Sequence, residues 1–327
     1  MSWWLYNFLY IKMIELYPFI IEAIQIVIVL LFAPLFIGWV RMLKCWFQGR
    51  TSAGLFQPYR DILKLFHKDV VLAENASWLF RFTPYLVFGV TVLAGGIIPI
   101  LSLDLPFATV ADVIAIVALF AIVRFFTALA GMDIGTAFGG MGSSREMMIG
   151  SLAEPAMLMA IFTVSLISQT TSLSNMADML IHKEFILRPS MAFALLSFVL
   201  ISLAETGRIP VDNPATHLEL TMIHEAMILE YSGRHLALIE WAGMIKLFLF
   251  TTIGIASFFP WGISTSGNLV SLSAGIIFLI LKLGFLGIGL ILIETGLAKM
   301  RIFRVPEFLG SAFLLSTLGM LSYFILE

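Results

Sequence analysis

The sequence predicts an all-α membrane protein, a bundle of eight transmembrane helices with an amphipathic helix in a cytoplasmic loop after the first span. Three observations lead to this prediction. Hydrophobic residues make up 60% of the 327 residues, and the mean hydropathy of +1.00 exceeds that of soluble domains. The apolar residues fall into eight runs, with lengths in the range of about 17–25 residues that is typical of transmembrane helices. Charged residues, only 12% of the chain, gather mainly between these runs.

The elements follow in chain order. Residues 1–18 are aromatic and mixed, without a cleavage signature, and predict an interfacial N-terminal segment ahead of a single transmembrane domain, 19–326. The predicted spans are residues 19–40, 85–103, 111–131, 147–168, 190–206, 236–259, 270–293 and 307–326. Residues 51–82 interleave apolar side chains with charged ones such as Asp61 and Lys64, which favours a helix at the membrane surface or against another subunit. A solvated loop is the alternative.

The distribution of Lys and Arg predicts the orientation. Most of the 19 basic residues fall in the loops on one side of the predicted membrane, the side that includes the loop after the first span. Because basic residues are retained on the cytoplasmic side, the N-terminus is expected outside. We expect a multi-pass protein of the cell inner (cytoplasmic) membrane.

Several kinds of chemistry find no support in the sequence. The glycine-rich stretch 132–150 lacks the GxGxxG and GKS/T patterns of nucleotide loops and predicts a tight connection between helices. The single cysteine, Cys45, excludes an internal disulfide and cannot hold a metal cluster alone. No HExxH pattern surrounds His217 and His224, and the net charge of −2 gives no case for nucleic acid. We therefore expect no metal site and no nucleic-acid partner.

A polar stretch, residues 204–233, interrupts the apolar pattern after the fifth predicted span. Pro210 and Pro214 prevent a regular helix through its first half, because proline lacks a backbone N–H and disfavours the helical conformation of the residue before it. Its titratable residues are Glu205, Arg208, Asp212, His217, Glu219, His224, Glu225, Glu230 and Tyr231. A carboxylate-rich segment at the end of a membrane helix predicts a charge-handling site or a docking surface.

Charged residues also occur inside the predicted spans. They are Arg124, Glu154, Glu205, Glu240, Lys246, Lys282 and Glu294. Each costs a few kcal/mol at the bilayer centre, so we expect them to face the bundle interior, to pair or to meet water. Glu154 and Glu205, with Arg124 nearby, would then form either a polar path or static ion pairs. Lys246 and Lys282 have the further option of reaching the interface.

Several motifs resemble a known family. The pattern E-T-G-R-I-P-V-D followed by L-E-Y-S-G resembles subunit 1 of NADH–quinone oxidoreductases, the respiratory complex I subunit 1 family. The stretches QPYRDILKLF, WLFRFTPY, GMDIGTAFGGMGSSREMMIGSLAEP and LAKMRIFR are similar to a branch of the same superfamily, the membrane-anchor subunits of formate hydrogenlyase and hydrogenase-4. The similarity covers roughly residues 20–325.

This resemblance implies a non-catalytic subunit that joins a peripheral electron-transfer arm to antiporter-like membrane subunits and couples the redox reaction to proton or sodium translocation. The implied arm consists of a nickel–iron hydrogenase-type large subunit and a small iron–sulfur subunit. No cofactor is expected on this chain alone, with a quinone left open. The implied proton path is Glu154, Glu205, Asp212, Glu219 and Glu230. Residues expected to dock the arm or to shape the loop are Arg145, Arg208, Pro210, Tyr231, Asp61 and Lys64, and expected modulators are His217, Glu225 and Arg124.

Departures from the family pattern leave other functions open. Val211 replaces the usual Phe, Ala215 and His217 stand where the family has acidic residues, and the loop is about three residues longer. One alternative is a quinone-site subunit of a complex I-like NADH–quinone oxidoreductase. A stand-alone secondary transporter would need inverted repeats with paired broken helices, and only one interrupted helix end is visible. A purely structural anchor would use its buried carboxylates only in ion pairs.

Overall fold

The structure, a computed structural model, describes residues 2–103, 105–109, 112–182, 188–212, 222–264 and 269–326. Within these ranges the regular structure is helical, apart from two isolated bridges. The α-helices are α1 (Ser2–Phe47), α2 (Gln57–Phe66), α3 (Trp78–Ile97), α4 (Val113–Asp133), α5 (Ala137–Ser168), α6 (Leu173–His182), α7 (Pro189–Glu205), α8 (His224–Ile228), α9 (Gly233–Phe258), α10 (Leu269–Gly296) and α11 (Val305–Leu326). Two short 3-10 helices, Pro106–Thr109 and Ile302–Arg304, precede α4 and α11.

Seven helices in these ranges are long and apolar enough to cross a membrane, namely α3, α4, α5, α9, α10, α11 and the part of α1 from Tyr17 to Phe47. The remaining predicted span, the fifth (190–206), corresponds to α7, an apolar helix of 17 residues. The prediction of a polytopic helical bundle is therefore confirmed, whereas the count of eight crossings and the orientation stay predictions. Helix α1 continues through residue 18 without a break, so the N-terminal segment and the first span share one helix.

The glycine-rich connection is shorter than predicted. Helix α5 already begins at Ala137, after Thr136, whose hydroxyl accepts a hydrogen bond from the Gly139 amide at 3.3 Å and caps the helix. Gly142 lies inside this helix at a position where a larger residue would not fit. A Cβ there would come within 2.9 Å of Ala226 on α8. Close helix packing thus outweighs the low helix propensity of glycine. The predicted tight connection holds only for residues 134–136, and the span predicted from residue 147 begins ten residues earlier.

The second predicted span, residues 85–103, is displaced towards the N-terminus at both ends. Helix α3 begins at Trp78, capped by the Ser77 hydroxyl, and ends at Ile97, so residues 98–103 leave the helix. Gln25 on α1 holds this exit. Its amide nitrogen donates to the carbonyls of three residues, Gly95, Gly96 and Ile98, at 2.8–3.0 Å. Its oxygen accepts from two further backbone amides at 3.2 and 3.3 Å. A buried glutamine therefore provides the hydrogen bonds that the helix no longer supplies.

The predicted amphipathic helix is present as α2, with Ile62 buried and Leu63 exposed. It packs against α1 and α9. Residues 67–77 are not helical, so the amphipathic pattern of residues 51–82 covers one short helix and the start of α3.

Helix α9 is the central helix of the bundle. Within its apolar window 67% of the residues are buried, against 22% for α10. Helices α1, α2, α3 and α7 pack against α9, whereas α10 contacts mainly α1. Helix α4 packs between α3 and α5, and α11 covers α5 and α7. Arg124 on α4 and Glu205 on α7 are among the buried charged residues of this part of the protein.

Candidate functional site

Arg124 on α4 is the centre of a buried charge network. Its side chain is only 3% exposed and contacts three carboxylates. The Nη1 atom donates to Glu154 at 2.6 Å, Nε donates to Glu146 at 3.3 Å, and Nη2 contacts Glu205. Gly150 on α5 makes room for the guanidinium, because a Cβ there would lie 2.5 Å from Nη1. The arginine is therefore held between α5 and the end of α7.

Glu205 is the last residue of α7 and lies between two cations. One carboxylate oxygen contacts Arg124 and the other lies 3.1 Å from Nζ of Lys246 on α9. The Lys246 ammonium also lies 5.8 Å from the centre of the Phe250 ring, within the range of a cation–π interaction. The Glu205 side chain is 2% exposed. Pairing with two cations offsets the cost of desolvating this carboxylate.

The five side chains of this network do not balance in charge. Three carboxylates, Glu146, Glu154 and Glu205, face two cations, Arg124 and Lys246. With every group ionised the network carries one net negative charge, and one bound proton makes it neutral. The Glu154 side chain is 35% exposed, the largest exposure of the three carboxylates. Chemically, one proton or one other monovalent cation would neutralise the arrangement.

A small cavity connects the network to the polar stretch that follows α7. It has a volume of about 30 Å³, enough for roughly two water molecules. Arg124, Glu146 and Lys246 contribute to its wall together with His224, the first residue of α8. The network thus continues into the segment that the sequence singled out as polar.

Asp212 holds the two described ends of the polar stretch together. Its carboxylate accepts hydrogen bonds from the backbone amides of Ile223 and His224 at 3.2 and 3.4 Å and pairs with Lys299 at 3.0 Å. The carbonyl of Pro210 accepts a hydrogen bond from the Met300 amide at 2.9 Å. Asp212 is buried and lies outside the Arg124 network. The contacts of these two residues therefore fix the loop against the segment after α10.

Two residues predicted to dock an arm or to shape the loop have their contacts inside the protein. Arg145 donates from Nη1 to the carbonyl of Met222 at 2.9 Å. Tyr231 is buried, stacks on Phe80 with ring centres 3.8 Å apart, and donates from its hydroxyl to the Phe80 carbonyl at 3.0 Å. Burial raises the pKa of the Tyr231 phenol above its usual value, and the Asp133 carboxylate acts in the same direction. Arg145 thus contacts the second described end of the polar stretch, and Tyr231 joins that stretch to α3.

Arg208 belongs to a second ion cluster. Its Nη1 atom lies 2.8 Å from one oxygen of Glu294 on α10, and Nζ of Lys44 on α1 lies 2.9 Å from the other oxygen. The Glu294 side chain is 1% exposed, against 27% for Lys44 and 14% for Arg208. We call these three residues the Glu294 cluster. Lys282, also on α10, donates to the carbonyls of Phe259 and Trp261 beyond the end of α9.

The remaining predicted site residues are at or near the surface. Glu230 is exposed in the turn between α8 and α9, and Glu225 on α8 is half-buried. On α2, Asp61 accepts a hydrogen bond from Gln57 at 2.9 Å, while Lys64 is exposed. Two predicted residues, His217 and Glu219, lie outside the described residues. Of the predicted path, the structure brings Glu154 and Glu205 together and places Asp212 and Glu230 elsewhere.

The sequence analysis missed two acidic residues, Glu146 and Glu22. Glu146 and Glu154 are eight residues apart, which places both on one face of α5 with Gly150 between them. This spacing is visible only when the helix begins before residue 147. Glu22 lies within the first predicted span, and both its carboxylate oxygens are buried without a hydrogen-bond partner among the described residues. Within the same residues no group of three potential metal ligands has the geometry of a metal site.

Comparisons with known proteins identify the family. The NADH dehydrogenase family profile matches residues 21–325. The chain is 30% identical to formate hydrogenlyase subunit 4 of Escherichia coli (strain K12) over 298 residues, 91% of this chain and 95% of that protein. It is also 30% identical to hydrogenase-4 component C of the same organism over 303 residues, 93% of this chain and 95% of that protein.

More distant matches agree with this assignment. An NADH-quinone oxidoreductase subunit of Neorickettsia sennetsu (strain ATCC VR-367 / Miyayama) is 28% identical over 288 residues, 81% of each chain. A further match is a chain in the solved structure of the membrane-bound sulfane sulfur reductase (MBS), an archaeal respiratory membrane complex. The two chains superimpose with a TM-score of 0.80 at 19% identity, over 93% of this chain and 98% of that chain, which shows a shared fold. The resemblance seen in the sequence is confirmed, and the chain belongs to the NADH dehydrogenase subunit 1 family.

Proposed function

We propose that this chain is the membrane-anchor and coupling subunit of a hydrogenase-4-like or formate-hydrogenlyase-like complex of the complex I superfamily. It docks a peripheral arm containing a nickel–iron hydrogenase-type large subunit and a small iron–sulfur subunit, and it adjoins antiporter-like membrane subunits. It couples the redox reaction of the arm to translocation of protons, or of sodium ions, across the inner membrane. The chain alone binds no cofactor, and a quinone would bind only together with the arm.

The observation that carries this proposal is the charge imbalance around Arg124. A group of three carboxylates and two cations inside the membrane is one proton short of neutrality. A set of purely static ion pairs would be expected to balance, because each uncompensated charge costs several kcal/mol in this environment. The cavity beside the network leads to His224 and so to the polar stretch. A conformational change in the arm would reach the network through this stretch. Glu154 has the most exposed of the three carboxylates, so we expect it to bind the exchangeable proton.

The relatives support the proposed assembly. Two of them are named as a subunit of formate hydrogenlyase and a component of hydrogenase-4, and this chain covers almost their full length. The exposed apolar side chains of Phe56 and Val71, 59% and 72% exposed, lie on either side of α2 in the loop assigned to the arm. Exposed apolar groups of this kind are typical of a contact surface.

Neutralising Glu154 tests the proposal. Glu154→Gln retains the shape of the side chain and an oxygen for Arg124, but it cannot release a proton. In the affinity-purified native complex we expect the same co-purifying subunits and metal content as in the wild type. In membrane vesicles we expect redox turnover to continue while proton uptake per electron falls to the level seen with an uncoupler.

Glu74→Gln is the matched control, because Glu74 is exposed in the loop before α3, away from the network. This variant should translocate protons as the wild type does. If Glu154→Gln also translocates normally, or if its only defect is loss of assembly, the carboxylate is a structural ion-pair partner. If the isolated chain transports ions in liposomes without any redox partner, the transporter alternative replaces the proposal.

A further inference from the structure

A crevice between α7, α9 and α10 lies apart from the charge network. Its volume is about 170 Å³. Its back wall consists of buried side chains of α9, among them Leu247 and Phe250, whereas Leu195 on α7 and Leu290 on α10 are half-buried at its two edges. The crevice therefore opens sideways, between two spans, towards the hydrocarbon of the bilayer. Helix α10 is the least buried span of the bundle, which fits a gap on this side.

The wall of the crevice is apolar even where it contains hydroxyl groups. Ser202, Thr206 and Thr251 all line it. Each hydroxyl donates to a carbonyl three or four residues earlier in its own helix, at 2.6–2.8 Å, so it offers no free donor to a ligand. An apolar chain fits such a wall, and an empty space of this size would forfeit dispersion contacts on all its sides.

One end of the crevice adjoins the Glu294 cluster. The lining residues Thr206 and Ile293 lie two residues and one residue along the chain from Arg208 and Glu294. In the cluster two cations share one carboxylate, so a net charge of +1 stands at this end. The positive-inside rule places this end on the cytoplasmic side, the side where anionic lipids are enriched. The crevice thus has an apolar body and a cationic end.

We propose that this crevice binds one anionic phospholipid, with an acyl chain between α7 and α10 and its phosphate against Lys44 and Arg208. A neutral isoprenoid tail would fill the apolar part but would leave the cationic end without a partner. The bound lipid adds contacts to α10, which otherwise packs mainly on α1. The proposal does not depend on the proposed coupling function.

Two glycines of α10 provide a matched pair of variants. A Cβ at Gly289 or at Gly284 meets nothing within 4 Å, so the two positions are alike in accepting the first carbon of a side chain. Only Gly289 lines the crevice. Gly289→Phe fills the crevice, whereas Gly284→Phe adds the same bulk to α10 elsewhere.

Lipid binding would be measured by native mass spectrometry of the delipidated native complex, titrated with phosphatidylglycerol or with phosphatidylcholine carrying the same acyl chains. For the wild type and Gly284→Phe we expect one retained phosphatidylglycerol per chain and about tenfold weaker binding of phosphatidylcholine. For Gly289→Phe we expect about tenfold weaker binding of phosphatidylglycerol. Lys44→Gln leaves the crevice unfilled and should abolish the preference between the two head groups, which tests the proposal even if Gly289→Phe fails to fold.

Five results would overturn this proposal. Equal binding by Gly289→Phe and the wild type places the lipid elsewhere. Equal affinity of the wild type for the two head groups removes the role of the cationic end, as does an unchanged preference in Lys44→Gln. A quinone in place of a phospholipid in the purified complex, lost in Gly289→Phe, makes the occupant an isoprenoid tail. Cross-links from position 290 to another subunit in the native complex make the occupant a protein segment.

Discussion

Removing the guanidinium of Arg124 is the most direct test of the network. Arg124→Met retains most of the length of the side chain and deletes all three carboxylate contacts, at 2.6 Å to Glu154, 3.3 Å to Glu146 and the contact to Glu205. The network then holds three carboxylates and one cation, so its net charge changes from −1 to −2. Breaking a buried ion pair by removing one partner costs about 3–5 kcal/mol. We expect a loss of this size in the free energy of unfolding.

The loss should shrink when the charge is rebalanced. In Arg124→Met combined with Glu205→Gln the net charge returns to −1, so the two substitutions should be less harmful together than their sum. Residues in one ion-pair network typically show coupling energies of about 0.5–3 kcal/mol in a double-mutant cycle. The cycle would be measured by equilibrium unfolding in mixed micelles, with helix content followed by circular dichroism.

Arg50→Met is the control, because Arg50 is exposed after α1 and should change stability by less than about 0.5 kcal/mol. A loss below about 1 kcal/mol in Arg124→Met, or strictly additive effects in the cycle, would show that the carboxylates do not depend on this arginine. The electrostatic description of the site would then be refuted.

Two further predictions concern the surroundings of the network. Gly150→Ala should destabilise the protein by about 1–3 kcal/mol, because the added methyl group would lie 2.5 Å from the guanidinium. Gly140→Ala, on the same helix, is the control: its methyl group meets open space, so it should be neutral or stabilising by up to about 1 kcal/mol. Both variants would be measured by the same unfolding assay. A Gly150→Ala variant as stable as Gly140→Ala would show that the arginine has room to shift. Because the folded pKa of the Tyr231 phenol is raised, its contribution to stability is present below the unfolded pKa of about 10 and is lost as pH rises above that value. Tyr231→Phe should lower stability at neutral pH by about 1–3 kcal/mol, since it leaves a buried carbonyl unpaired, and should weaken the alkaline loss; an unchanged alkaline profile would assign that loss to other groups.

Much of the fold follows from the sequence because a membrane imposes a simple rule. Each apolar run must satisfy its own backbone hydrogen bonds, which only a helix does for a single segment. The eight runs therefore correspond to helices, and α2 is recognisable by its charged and apolar faces. Helix ends were harder to predict. The start of α5 depends on how closely Gly142 approaches α8, a contact between residues far apart in the chain.

The sequence predicted which kinds of residue form the site, but not how these residues are arranged. Hydropathy alone indicates that a charge such as Arg124 must find a partner inside the bundle. The carboxylates that Arg124 contacts depend on how α4, α5 and α7 are rotated about their axes. The sequence does not reveal this rotation, because the spans are almost uniformly hydrophobic. Arg124, expected to modulate a carboxylate path, contacts Glu146, Glu154 and Glu205, a set of partners that the sequence does not reveal. Lys246 likewise could not be assigned to Glu205, 41 residues away, from the sequence alone.

The length of α7 has an electrical consequence. Seventeen residues give a helix about 25 Å long, shorter than the hydrocarbon core of about 30 Å. If the first residues of α7 lie at the outer edge of that core, as the predicted orientation requires, Glu205 at the other end lies inside the insulating layer. A proton that reaches this carboxylate from the cytoplasm has already crossed part of the transmembrane voltage, which acts on it with about 2.3 kcal/mol per 100 mV for a full crossing. Under the proposed coupling function, protonation of the network would then depend on the membrane potential as well as on pH.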